Sequence, residues 1–155
     1  MKESVQLVVF TLDEQRYGLR LSAVERVVRA VEVTPLPSAP EIVLGVINLA
    51  GRVVPVMNVR QRFGLPEKES DLSDQFIIAR IAMRTVALLV DSVSALVEAS
   101  AEDVVHAAKI LPQINYVDGV AKLEDGMILI HDLDKFLSLE EARLLDEVMQ
   151  AESEA

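Results

Sequence analysis

The apolar positions of this chain fall into short runs rich in Val, Ile and Leu, separated by polar or Gly-containing breaks, a pattern that predicts strands rather than long helices. Residues 5–12 and 17–21 read as a hairpin turned by the polar residues Asp13, Glu14, Gln15 and Arg16. Residues 36–64, LPSAPEIVLGVINLAGRVVPVMNVRQRFG, form the stretch around which the rest is organised. Pro35, Pro37 and Pro40 hold its entry extended and withhold amide donors. The apolar run that follows is far shorter than the roughly 20 residues of a membrane span and predicts a buried strand over 45–49. Ala50, Gly51 and Arg52 make a tight turn, with Gly51 supplying the positive φ that a short hairpin demands. A second strand returns over 53–59, and a helical turn over 60–63 ends at Gly64.

Elsewhere, Ser22 and Glu25 stand at capping-box spacing and predict a single helical turn, followed by a strand to about residue 33 because Val27, Val28, Val31 and Val33 are stiff at χ1. The polar connector 65–74 divides the chain. Strands over 75–82 and 85–93, turned at Met83 and Arg84, follow it. Ser100 opens a cap-like Ser-x-x-Asp and predicts a short helix over 100–110 that Pro112 ends. Strands over 116–123 and 127–133 are turned by Glu124, Asp125 and Gly126. A capping box of Ser138 and Glu141 launches a helix to about Gln150 with Leu144, Leu145, Val148 and Met149 on one side, and 151–155 fray.

The two halves repeat one another. YGLRLSAVERVV (17–28) lies over VALLVDSVSALV (86–97) without a gap, and GVINLAGRVVPVMNV (45–59) lies over GVAKLEDGMILIHDL (119–133), so turn glycines and apolar alternation recur together. A tandem duplication of a five-stranded unit accounts for this.

Composition sharpens the reading. A hydrophobic share of 51% supports a real core, and with aromatics at 4% and no Trp that core is aliphatic. The absence of Cys excludes a disulfide scaffold and any thiolate metal site. The opening MKESVQL has no long apolar run, so no signal peptide is expected and the protein should stay in the cytoplasm. Net charge is −10 and unevenly spread: residues 1–66 hold 8 basic and 6 acidic groups, a net of +2, whereas 67–155 hold 7 basic and 19 acidic, a net of −12. The acidic second half repels phosphates, which argues against nucleic acid and anionic lipid as its partners, and the short apolar run at 42–49 argues against membrane insertion.

No catalytic constellation is visible. His106 and His131 lie at no metal-ligand spacing, so no metal or cofactor is expected. Asp91-Ser92 and His131-Asp132 could be assembled on paper into a hydrolase triad, but no Gly-x-Ser-x-Gly elbow supports it. Gly45, Gly51 and Gly64 are wrongly spaced for a phosphate loop, and two Tyr with four Phe are too few for an aromatic groove that takes proline-rich peptides. Protein–protein contact is what remains.

GVINLAGRVVPVMNVRQRFG resembles the signature of the CheW family of chemosensory coupling proteins, and the resemblance extends from FTLDEQRYGLRL to DGVAKLEDGMILIHDLDKFL. It implies a mainly β fold of two SH3-like five-stranded barrels with short helices and a C-terminal helix. The chain would be one domain, with approximate subdomains at 17–66 and 75–137 whose terminal segments are exchanged between barrels. It also implies a non-catalytic adaptor, clustered beneath the membrane in receptor arrays, that joins the cytoplasmic tip of chemoreceptors to the regulatory domain of a CheA-type histidine kinase. The family's partner surface falls on Val24, Arg26, Gly45, Asn48, Leu49 and Ala50. Two of these depart from the family pattern, since Arg26 stands where Glu is usual and Ala50 where Arg is usual. Three readings stay open: an adaptor for receptor and kinase in a specialised pathway, an adaptor for the kinase alone, or a small-molecule-binding barrel, which would need a concave polar pocket.

Overall fold

The computed structural model describes residues 4–69, 71–81, 84–106 and 117–154. Strands β1 (Ser4–Leu12) and β2 (Gln15–Arg20) form the first hairpin. Its turn is only Asp13 and Glu14, both at positive φ, because Gln15 and Arg16 already pair with Leu12 and Thr11. Such two-residue turns match the twist of the strands they join.

The capping box expected at Ser22 does not form. A 3-10 turn, Leu21–Ala23, starts from Arg20 with no side-chain cap, and Glu25 is engaged elsewhere, as described below. Strand β3 (Val24–Arg29) stops short of residue 33, where the Ala30 amide donates to the Asp74 carbonyl and takes the chain out of the ladder. Strands β4 (Val43–Leu49) and β5 (Arg52–Met57) form the central hairpin. Helix α1 (Val59–Arg62) begins a residue before the expected turn because the Asn58 side chain accepts from the Gln61 amide at 3.0 Å.

Strands β6 (Gln75–Ile81) and β7 (Arg84–Val90) pair antiparallel as expected. The strand predicted over 85–93 breaks at Asp91, and the chain passes to the other sheet as β8 (Ser92–Ser100). Where the helix expected over 100–110 would begin there is instead a 3-10 turn, Ala101–Asp103, which the Ser100 hydroxyl caps, and then β9 (Val104–His106). Strands β10 (Val117–Leu123) and β11 (Gly126–His131) turn at Glu124 and Asp125. A 3-10 turn, Leu133–Lys135, leads to the C-terminal helix α2 (Leu139–Glu154). Its capping box is made: the Glu141 amide donates to Ser138 Oγ at 3.1 Å, and the Ser138 amide donates to Glu141 Oε1 at 2.9 Å. The expectations for Met83, for residues 107–110, for Pro112 and for Tyr116 lie outside the described residues.

These strands build the two barrels. One sheet has the order β8-β1-β2-β11-β10-β9 and the other β3-β6-β7-β5-β4, so each draws on both halves of the chain. Three apolar clusters follow from the alternation of side chains. Leu7, Val9, Ala99, Ala121, Ile128 and Ile130 fill the first barrel, and Ile47, Val54, Val56, Phe76, Ile78 and Ala87 fill the second. The opposite faces of the same strands, with Phe10, Leu12, Tyr17, Leu19, Ile77, Ala79, Val86 and Leu88, meet in a third cluster shared by both barrels. Strands β1, β6 and β7 are therefore buried on both faces, which is why they read as largely apolar runs.

The duplication is visible in the irregularities. Glu25 is an unpaired extra residue between Val24↔Ala79 and Arg26↔Ile78, and its repeat equivalent Ser94 is extra between Val93↔Phe10 and Ala95↔Val9. Leu44 in β4 and its equivalent Asp118 in β10 are likewise bulged. Each barrel also contains one parallel contact in the same register, Val56↔Ala87 in one and Ile130↔Gly18 in the other. Bulges re-aim side chains and end pairing, so matching ones mark matching architecture.

Candidate protein-docking site

The residues carried by the family resemblance cluster at one end of the second barrel. Strand β3 begins there with Val24 and Arg26, and the turn after β4, with Asn48, Leu49 and Ala50, lies at the same end, tied to β3 through Arg52 and Glu25. Ala50 and Gly51 take φ of 51° and 86°, and Asn48 Oδ1 locks the turn by accepting from the Gly51 amide at 2.9 Å. Arg26, Asn48 and Ala50 are exposed. Val24 packs half-buried on the shared cluster and Leu49 on the interior of the second barrel, the packing expected of strand-adjacent aliphatics.

Gly45 is set apart, buried further back along β4. A Cβ there would lie 2.2 Å from the carbonyl oxygen of Thr34, where the Thr34↔Val46 bridge closes the barrel. Its repeat equivalent Gly119 faces the same approach, 2.8 Å from the Val105 carbonyl oxygen, beside the Val105↔Val120 pair. The backbone alone accounts for glycine at both positions.

The link between β3 and the turn is an ion pair that the sequence reading did not single out. Arg52 Nη2 donates to Glu25 Oε2 at 3.2 Å and to Oε1 at 3.4 Å, with side chains 49% and 43% exposed. The bulge explains it: Glu25 and Arg26 both stand against Ile78, on the side of the strand facing the barrel interior, and Arg52 shares that side with Val54. The next residue, Val53, is 50% exposed on the opposite side. Residue 53 lines an open trough of about 500 Å³ between α2 and the second barrel, with Ile81, Leu145, Arg52, Arg84 and Asp146. Strand alternation alone could have shown that 52 and 53 face opposite ways, but it could not show which side is left uncovered.

The chemical candidates are spent on structure. Asp91 accepts from Arg60 Nη2 at 2.7 Å, and Ser92 Oγ and Thr11 Oγ1 share a hydrogen bond at 2.7 Å. His131 is buried and stacks on Phe63 with ring centroids 3.8 Å apart. Among the described residues no cluster of His, Asp or Glu could hold a metal ion. Arg60 also donates to Asp13 at 2.8 Å, and Asp13 and then Asp91 hold its guanidinium above the usual arginine range. Burial pushes the Asp91 carboxyl up, but hydrogen bonds from Arg60 and the Asp13 amide, with the charge of Lys68, more than reverse that and leave it below the usual range. This network ties the first hairpin, α1 and the end of β7 together. Among the described residues no helix is long and apolar enough to cross a membrane.

Comparison with known proteins bears on the family and the fold. Residues 6–141 match the family model of the CheW-like domain. The chain is 29% identical to the chemotaxis protein CheW of Treponema pallidum over 149 residues, covering 92% of this chain and 88% of that one. It is 33% identical to the chemotaxis protein CheW of Rhizobium meliloti over 138 residues, covering 88% and 89%. The crystal structure of the scaffolding protein TtCheW from Thermoanaerobacter tengcongensis superimposes with a TM-score of 0.81 at 30% identity, over 91% of this chain and 96% of that one. A matched family model over most of the length, together with a shared pair of barrels, places the chain in the CheW family.

Proposed function

We propose that this chain is a non-catalytic cytoplasmic adaptor that couples chemoreceptors to the regulatory domain of a CheA-type histidine kinase. The observation that carries the reading is family membership joined to a rigid build, in which two barrels share one continuous apolar cluster. Faces on different parts of such a body stay at fixed separation, so its mechanism is positional. Several modest contacts, each raised to an effective concentration of roughly millimolar by the others, then hold an array together. Residues 1–155 act as one domain in this reading, with subdomains near 17–66 and 75–137. Val24, Arg26, Gly45, Asn48, Leu49 and Ala50 define the partner surface, with Gly45 contributing through the backbone it shapes.

A second reading, an adaptor that engages the kinase but not receptors, is favoured by Arg26 and Ala50, which stand where the family usually has Glu and Arg. One reconstitution separates the two. Purified kinase is mixed with vesicles bearing its cognate receptor, with and without this chain, and kinase autophosphorylation is followed. Receptor-dependent stimulation that requires the chain supports coupling; binding to the kinase without stimulation supports the second reading; binding to neither removes both.

A further inference from the structure

The bulge at Glu25 leaves an unbalanced charge at the mouth of the second barrel. Glu25 and Arg52 neutralise each other at 3.2 Å, whereas Arg26 is exposed and makes no ion pair among the described residues. At the same end of the barrel the turn is open, because Ala50 carries nothing beyond Cβ, and half-buried Leu49 packs on the interior side of the sheet that Arg26 shares. The mouth is thus a basic point on a molecule whose net charge is −10. Screening over roughly 8 Å at physiological salt makes the local guanidinium, not the distant acidic half, decide what docks there.

We propose that this mouth recognises a carboxylate side chain flanked by apolar residues on the chemoreceptor partner, with Arg26 as the specificity-determining residue and Glu25 as its attenuator. The inference rests on the adaptor reading and adds to it the chemistry of one contact. Arg26 offers a fork of donors that fits a carboxylate through two parallel hydrogen bonds, while Leu49 takes the flanking apolar group. Glu25 occupies Arg52 and so withholds a second guanidinium from the incoming anion. The sign of each substitution follows. Removing charge at Arg26 weakens the contact; removing charge at Glu25 frees Arg52 and strengthens it.

The test measures binding of the cytoplasmic fragment of the cognate receptor, and separately of the cognate kinase regulatory domain, to the wild type, Arg26→Glu, Arg26→Lys and Glu25→Gln. Circular dichroism melting of each confirms the fold. The expected result is receptor binding about tenfold weaker for Arg26→Glu, intermediate for Arg26→Lys and about threefold tighter for Glu25→Gln. Kinase binding should change less than about twofold, and the receptor differences should shrink at high salt. Unchanged receptor binding in Arg26→Glu, or weaker binding in Glu25→Gln, overturns the proposal while the adaptor reading stands. A loss in Arg26→Glu confined to the kinase overturns the stated occupant, as does a wild type that binds the kinase but not the receptor. A wild type that binds neither overturns the adaptor reading itself.

Discussion

Gly45 and Gly119 solve the same problem in the two barrels: a closing strand brings its carbonyl oxygen to where any side chain would begin. Gly45→Ala should therefore cost about 3 kcal/mol or more, read as a lowered urea midpoint, and Gly119→Ala somewhat less because its approach is 2.8 Å rather than 2.2 Å. A binding defect in Gly45→Ala would then trace to the barrel and not to a lost contact. Ala50 poses the opposite case. An L-residue at φ of 51° carries left-handed strain, so Ala50→Gly should raise stability by about 0.5–1 kcal/mol. Ala50→Arg keeps the strained backbone and points into solvent, so its melting curve should stay within about 0.5 kcal/mol of the wild type, which makes it a clean probe of docking.

Among the elements, α2 depends on its start and on one anchor. Losing the Ser138 hydroxyl in Ser138→Ala should cost about 1 kcal/mol, and Leu145→Ala, at the one fully buried position described in the helix, about 2–5 kcal/mol, both measured by urea unfolding. The hairpins and this cap were legible in the sequence because turn chemistry and capping boxes are local signals. Ser22 misled because a Glu three residues on satisfies the same local pattern, yet Glu25 is drawn off by Arg52, distant in sequence. Strand β8 was hidden for a related reason. Asp91 interrupts an apolar run and its carboxylate is held by Arg60, so the break reflects a tertiary partner. The internal repeat had already laid 93–97 over the start of β3, and that was the available signal for a strand there. The proposed docking residues rest on the family motif alone, and the Glu25–Arg52 pair had no signal in the sequence, because a bulge shifts facing by one residue and leaves no mark there.

At the scale of the molecule, two charged ties link distant segments, and both predict an acid weakness. Burial raises the Glu141 carboxyl, but Arg62 and the Ser138 amide outweigh that and leave it below its ordinary 4.5, just as Arg60 and Asp13 leave Asp91 below 3.8. A carboxylate depressed in the fold takes up its proton first in the unfolded chain. The stability it contributes is complete above the unfolded values and drains away as pH falls through 4.5 and 3.8 toward the lower folded ones. Urea midpoints followed from neutral pH downward should fall in that window, and Asp91→Asn should start lower and decline less steeply. The strand order gives a further expectation. Fragments 1–69 and 70–155, expressed apart, should stay unfolded, because each barrel lacks strands; mixed, they should regain the β-sheet circular dichroism of the whole chain.

The same strand order bears on synthesis. Leu7 pairs with Val97, and Tyr17 sits beside Leu129, so the amino-terminal hairpin leaves the ribosome with both of its neighbours untranslated. At about 5–20 residues per second that wait lasts several seconds, with β1 offering an apolar edge to any stray strand. A cell making this adaptor must shield its opening residues until the last barrel strands arrive, and chaperone demand should fall on the nascent chain rather than on the finished protein.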